Sequence, residues 1–320
     1  MINSVRQTVM SVLNKNNYGY ISPSDFNLFA KQAQLDLFEN YFYQYNYQIM
    51  KENARQSGTG YADIVKGIEE VIDTFSETKP LTQVVANTNN FFLPSLITTD
   101  NDYYLINKML INNKVLASGT TDGTVGGQNS IVDSTATFTT DGISVGDIVG
   151  IKISGVTYNY SITNVVNDTT LQTSGSNINT QPLFYTVYKK GNTKEAEKVT
   201  HSKITMLNHS ILTSPNLMFP AYTQEGLTSD LFPEEINGIG QVVCQYIRFP
   251  FVPKWTFVTL TNGEPSFDPT QPDYQDFELP NDDEVNLINK ILQYAGMSIR
   301  EIGAVQFAQA EEQANNQQEK

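Results

Sequence analysis

The feature that most constrains the fold lies in the middle of the chain. From about Ala117 to Gln181 the composition turns to Thr, Ser, Gly, Asp, Val and Ile, and apolar residues alternate with polar ones. Alternation with a period of two puts one face of a pleated strand toward a core and the other toward water. It occurs over Ile131–Thr139, Asp147–Ile153, Val156–Val165 and Thr169–Thr173. Between these runs, Ser154-Gly155 and Asn167-Asp168 have the chemistry of tight hairpin turns. Residues 117–181 are therefore predicted to form a separate small antiparallel β domain, a sandwich or barrel, inserted into the main fold.

The flanks carry a different period. Val5, Val9 and Val12 share one helical face, and a longer helix is expected from about Pro23 to Asn53. In that helix Phe26, Ala30, Ala33, Leu37 and Tyr41 are joined by Phe29, Phe38, Phe42 and Tyr45. An apolar arc this wide predicts packing on several sides. Ser57-Gly-Thr-Gly60 interrupts, Ala62–Phe75 resumes helical spacing, and Pro80 ends it. Asn89–Thr99 and Tyr103–Leu116 read as strands. After Pro182, Leu183–Lys189 reads as a strand, Lys194–Ser210 as a helix, and Gly240–Arg248 and Pro253–Phe257 as strands. Glu284–Ala295 is predicted to be helical with Gly296 as its stop, and Ser298-Ile-Arg-Glu301 matches a capping box that opens a last helix. The fold class expected is α+β: a mainly helical core with short strands, residues 1–116 plus 182–320, carrying the inserted β domain 117–181.

Charge narrows the partners. The 320 residues hold 34 acids against 20 Lys and Arg, a net charge of −14. Lys189-Lys190 and Lys194 form the densest basic group. Tight nucleic-acid binding needs a basic face to neutralise phosphates, so no specific nucleic-acid binding is expected. An acidic surface would let DNA slide past. The single cysteine, Cys244, excludes a disulfide framework and sits in an apolar run as a buried small hydrophobe. MINSVRQTVM lacks a signal-peptide core and no run approaches ~18 apolar residues, so synthesis in a cytoplasm and no membrane span are expected.

Candidate chemistry is sparse. Asn14–Asp25 (NKNNYGYISPSD) has the length of a calcium loop, with Gly19 sixth and Asp25 last. Its first, third and fifth positions are Asn14, Asn16 and Tyr18, and Lys15 adds a positive charge, whereas calcium loops need several carboxylates and a bidentate Glu. A helix start explains it better: Ser22 as N-cap, Pro23 at the first helical position, and Asp25 on the first-turn amides. His201 and His209 are too far apart to chelate one ion. Asp282-Asp283-Glu284 suits the positive end of the following helix, and the segments Gly263–Pro265 and Phe267–Pro269 read as turns. No catalytic, cofactor-binding or metal site is expected, and no enzymatic activity.

Longer composite motifs do carry a resemblance. Tyr246-Ile-Arg-Phe-Pro250, Pro253-Lys-Trp-Thr-Phe257, Phe277-Glu-Leu-Pro280 and Ile291-Leu-Gln-Tyr-Ala-Gly-Met-Ser-Ile-Arg-Glu301 resemble virion structural proteins of tailed phages. Val5-Arg-Gln7 and Tyr18–Phe26 point the same way. The nearest likeness is to ring proteins of the head-to-tail connector and tail in crAss-like, podovirus-type phages. It covers the N-terminal helices and roughly residues 195–312. In the insert, Asp133–Phe138 and Ser144–Val149 are similar to small β modules of phage particles. The resemblance implies a non-enzymatic virion subunit of a closed ring of twelve copies, with head-to-tail contacts between copies. The partners implied are further copies of itself, the portal protein and neighbouring tail rings, with tail fibres through the β domain. The ring would line or surround the DNA channel. The helix from Ser298 onward is expected to insert between neighbouring subunits or into the adjoining ring, so that deletion after Ile302 abolishes assembly. The alternative is a tail-fibre or head-decoration adaptor whose β domain binds another virion protein or a host glycan; the insert offers Tyr158 and Tyr160, while Trp255 lies elsewhere.

Overall fold

The structure is a computed structural model, and it describes residues 1–13, 21–54, 62–99, 101–123, 129–175, 178, 182–261, 263–299 and 310. Among these are five α-helices and fifteen strands, arranged in two compact units. The first unit takes residues 1–75 and 250–320, and the second takes residues 76–249. The molecule is mostly β, with two curled sheets, so the expected helical ring-forming core with a small β insert is overturned.

The first unit holds α1 (Ile2–Leu13), α2 (Pro23–Ala54), α3 (Ala62–Asp73) and α5 (Glu284–Ile299). The spacing of Ile2, Val5, Val9 and Leu13 buries one face of α1. Ser22 starts α2 as its composition demands: its Oγ accepts from Asp25 N–H at 3.2 Å and donates to Asp25 Oδ2 at 2.6 Å, a reciprocal cap. Phe26, Ala30, Ala33, Leu37 and Phe38 are buried, whereas Leu28, Tyr43 and Met50 on the same helix are exposed. Gly296 lies inside α5, which runs to Ile299, so no stop at Gly296 is observed; the last helix expected from Ser298 falls almost wholly outside the described residues. An isolated hairpin, β14 (Phe257–Thr259) with β15 (Pro265–Phe267), completes the unit.

The second unit contains both large sheets. The seven-stranded one has the order β1-β13-β3-β10-β11-β12-β2, with β1 at Ser76–Pro80, β2 at Asn90–Phe92, β3 at Tyr103–Asn112, β10 at Thr193–Lys198, β11 at Ala221–Glu225, β12 at Thr228–Phe232 and β13 at Val242–Arg248. Its two edges are joined by one bent segment. Leu81 N–H still donates to Val242 O, continuing the β1–β13 ladder, but Thr82 O accepts from Phe92 N–H at 2.8 Å and Val84 N–H donates to Asn90 O at 3.0 Å. The backbone ladder thus runs round to its own start, which removes open edges. Inside lie Leu81, Phe91, Met109, Ile111, Tyr222 and Cys244 among others.

Here the helical reading of Lys194–Ser210 fails in part. Thr193–Lys198 is rich in helix formers, yet it forms a strand bonded to β3 on one side and, in parallel, to β11 on the other. Only Ala196 of that strand is buried. Two-sided pairing outweighs a preference worth a few tenths of a kcal/mol per residue. A parallel pair needs a crossover. It is supplied by α4 (His201–Asn208), capped by Thr200, and by the loop that follows.

The six-stranded sheet comes from one contiguous stretch, in the order β4-β9-β6-β7-β8-β5: β4 Val115–Thr120, β5 Ser130–Val132, β6 Ile148–Ile153, β7 Val156–Asn167, β8 Thr170–Thr173 and β9 Phe184–Tyr188. Ser154 and Gly155 both take positive φ, as the β6–β7 hairpin requires. Asn167 Oδ1 accepts from Thr169 N–H at 3.0 Å and holds the next turn. This sheet also curls round: Thr121 N–H donates to Leu183 O, and the next amide, Asp122 N–H, donates to Val132 O at 2.7 Å. Its core is Ile131, Phe138, Val149, Ile151, Leu171 and Val187, with partners.

Candidate functional site

The two curled sheets of the second unit meet through backbone. A Cβ on Gly150 would collide with the Ile239 carbonyl and stand 2.9 Å from Gly240 Cα, so both positions need glycine; Gly240 also has φ +71°. Asn159 Nδ2 donates to Gly240 O at 3.0 Å, Tyr188 OH to Ile239 O at 2.8 Å, and Thr157 N–H to Thr82 Oγ1 at 3.0 Å. The six-stranded module is therefore fixed against the seven-stranded one by backbone contact and three polar ties.

Beside that contact lies a cavity of about 370 Å³. Ala86, Val115, Phe184 and Ile239 give it apolar walls, and Ser118, Thr186 and Asn237 give it polar ones. Clefts between packed modules are where binding sites concentrate. Its one charged lining residue is Glu235. Phe184 and Val115 are both exposed.

The second surface feature is the crossover loop after α4. Ile211 is 98% exposed, Leu212 96%, Phe219 77% and Met206 74%. Apolar side chains this accessible are unusual when they cluster. The loop presenting them is pinned by its own hydrogen bonds. Thr213 Oγ1 donates to Leu207 O at 3.0 Å, Ser214 N–H to Ser210 O at 2.9 Å, and Asn216 Oδ1 accepts from Met218 N–H and Phe219 N–H at 2.9 and 3.0 Å. Between Lys203 and Glu225 the sequence has no Asp, Glu, Lys or Arg. The result is a neutral apolar projection on a defined backbone.

The motifs singled out in the sequence do not converge on these surfaces. Residues 14–20 of the Asn14–Asp25 loop lie outside the described residues, as does nearly all of the segment after Ile299. His201 opens α4, its Nε2 3.2 Å from Gln224 O, and His209 closes it, its Nδ1 2.5 Å from Thr205 O. Cys244 is buried, and burial pushes its thiol up to about 12. Asp282 and Asp283 form a short 3-10 turn before α5, where Asp283 accepts from Asn286 and Tyr41. Tyr158 and Tyr160 stack on each other, 6.1 Å apart and 8° from parallel.

Two motifs of the insert, Asp133–Phe138 and Ser144–Val149, act as local braces. Asp133 Oδ1 accepts from Thr135 N–H and Oγ1, and Oδ2 accepts from Tyr185 OH at 2.7 Å. Burial alone would raise the Asp133 carboxyl, but these donors hold it below the usual carboxylate range, while burial and the Asp133 charge push the Tyr185 phenol up. Asp147 accepts from Ser144 N–H at 3.0 Å, Lys190 N–H at 3.1 Å and Lys189 Nζ at 3.1 Å. Its burial likewise opposes ionisation and is outweighed by those bonds.

The first unit is centred on Trp255. Arg6 lies over its ring at 3.8 Å, Phe257 and Phe267 stack on it, and Nε1 donates to Asn3 Oδ1 at 3.1 Å. Arg6 entered the sequence reading only as part of the motif Val5-Arg-Gln7 and Asn3 not at all; the signal for their role is a polar residue on an otherwise apolar helix face. Among the described residues no group of three or more His, Cys, Asp and Glu could hold a metal ion, and no helix is long and apolar enough to cross a membrane. No protein-family model matches the chain, and no curated protein matches it in sequence.

Proposed function

We propose that this protein is a non-enzymatic structural subunit of a tailed-phage virion, acting in a closed ring of the head-to-tail connector or tail. The observation that carries the reading is the rigid apolar crossover loop, with Ile211 and Leu212 almost fully in water. A solitary chain gains nothing by holding such side chains in solvent, and a neighbour that covers them gains about 25 cal/mol per Å² buried. The motif resemblance over the N-terminal helices and residues 195–312 supplies the type of assembly: twelve copies, docking below a portal, and DNA passing through the channel. The net charge of −14 suits such a channel, because it repels DNA. In this reading curled sheets form the body of the ring subunit. Negative-stain microscopy of the purified chain should show closed rings, and antibodies should label the vertex of particles. Monomers at all concentrations, together with absence from particles, defeat the proposal.

A second reading, a fibre or decoration adaptor, is favoured by one observation. The stacked Tyr158–Tyr160 pair on β7 leaves Tyr158 exposed, and such a platform suits a sugar face. Glycan-array binding that disappears in Tyr158→Ala would move the function to that class.

A further inference from the structure

The ring reading leaves open which surfaces of neighbouring copies meet. We infer that they meet head to tail, with Ile211 and Leu212 of one copy seated in the 370 Å³ junction cavity of the next. The inference rests on the ring reading and names its contact.

Size is the first argument. Removing one large apolar side chain from a core leaves a void on the order of 150 Å³. A cavity of 370 Å³ therefore takes about two such side chains. Ile211 and Leu212 are adjacent and nearly fully exposed, so they do not fill the cavity of their own chain. Area is the second. The exposed Met206, Met218 and Phe219 on the same projection add apolar surface to that of Ile211 and Leu212, toward the roughly 800 Å² per partner of a stable interface.

Charge is the third argument, and it permits a second copy of this chain as the occupant. Two bodies of net charge −14 repel, so self-contact must use neutral surface. The projection lies in a stretch with no Asp, Glu, Lys or Arg. The cavity walls come from stretches of the same kind: 80–99, 115–121, 169–188 and 236–247 hold every lining residue except Glu235. Both halves are also preorganised, the loop by its hydrogen bonds and the cavity by the Gly150–Gly240 contact, so little ordering cost opposes docking. A projection and a socket at different places on one chain make a heterologous contact, which closes into a ring or runs on as a filament.

The test uses two full-length variants. Ile211→Asp/Leu212→Asp removes the projection but keeps the socket. Ser118→Trp fills the socket from an exposed lining position and keeps the projection, with Thr120→Trp as a second filler. Mass photometry of the wild type should show species larger than two copies. Each variant alone should stay at the mass of one chain, and an equimolar mixture should stop at two chains, because one projection and one socket remain. That complementation also shows that both variants are folded. If the wild type forms rings and the variants form them too, this contact is wrong while the ring reading stands. If the wild type stays a monomer, this contact is wrong, and the ring reading falls with it when the protein is also absent from particles. A wild-type species of two chains that never grows overturns the head-to-tail geometry.

Discussion

The two units are held together by different means. In the second, strand follows strand and the backbone supplies most of the ties, carried by two ladders that each curl back to their own first strand. In the first, side chains reach across the sequence to backbone. Asn27 Oδ1 accepts from Trp255 N–H at 2.8 Å while its Nδ2 donates to Trp255 O, Gln34 Nε2 donates to Phe251 O at 2.8 Å, and Asp276 accepts from Met1 N and Ile2 N–H at 3.0 and 2.7 Å. A ladder shares its load over many equivalent bonds. A set of individual side-chain ties concentrates it on a few residues, so single substitutions should act differently in the two regions.

The strongest test of that difference is Trp255→Ala. It removes a side chain that is 2% exposed and the stacking surface for Arg6, Phe257 and Phe267. The expected loss is about 4 kcal/mol. In hydrogen exchange, amides of α1 and the start of α2 should lose protection while β6 and β7 keep theirs. Equal loss in both regions would erase the distinction.

Next in size is Gly150→Ala, aimed at a place where the ladder-built unit depends on a close backbone approach. Because the added methyl meets the Ile239 carbonyl, about 3 kcal/mol should be lost. Calorimetry should show the effect in the second unit, and the 370 Å³ cavity should open beside it. A neutral result would mean that residues 238–241 yield easily and that the modules are not locked.

Asp276→Asn probes a single tie and its pH dependence. Burial would raise the Asp276 carboxyl, but the Met1 ammonium and the Ile2 and Phe277 amides hold it below the usual range. A depressed folded value means the contribution is complete above about pH 4, the ordinary Asp value, and lost as pH falls below that and through the folded value. The carboxylate is 37% exposed, so solvent screening keeps the effect near 1.5 kcal/mol. In acid titrations followed by circular dichroism, the variant should lose part of the decline below pH 4. The smallest effect is Ser22→Ala, which removes the α2 cap for about 1 kcal/mol and leaves the second unit unchanged in thermal melts.

Legibility followed the same division. The hairpins of the insert were readable because their partners are sequence neighbours: Ile153 pairs Val156, and Asn167 pairs Thr170. The start of α2 was readable because a cap is a local arrangement. Residues 193–198 were misread because their partners, Met109 to Asn112 and Ala221 to Tyr222, lie tens of residues away and impose a strand on helix-forming residues. The apolar loop was not singled out, because the expected helix over Lys194–Ser210 ends just before Ile211 and nothing in the loop's own residues says that they stay in water. In the structure Ile211 lies beyond the end of α4.

By itself the sequence determined what period, turn chemistry and caps can encode within a few residues of each other: the helical N-terminal segments and the hairpins between 147 and 173. Tertiary structure alone decided that Ser76–Val84 and Val115–Asp122 would each join the two edges of a sheet, that Gly150 and Gly240 would meet, and that the charge-free crossover would project into water. Those outcomes depend on which distant backbone groups find one another, and a hydrogen-bonding strand edge carries no mark in its side chains of the partner it will take.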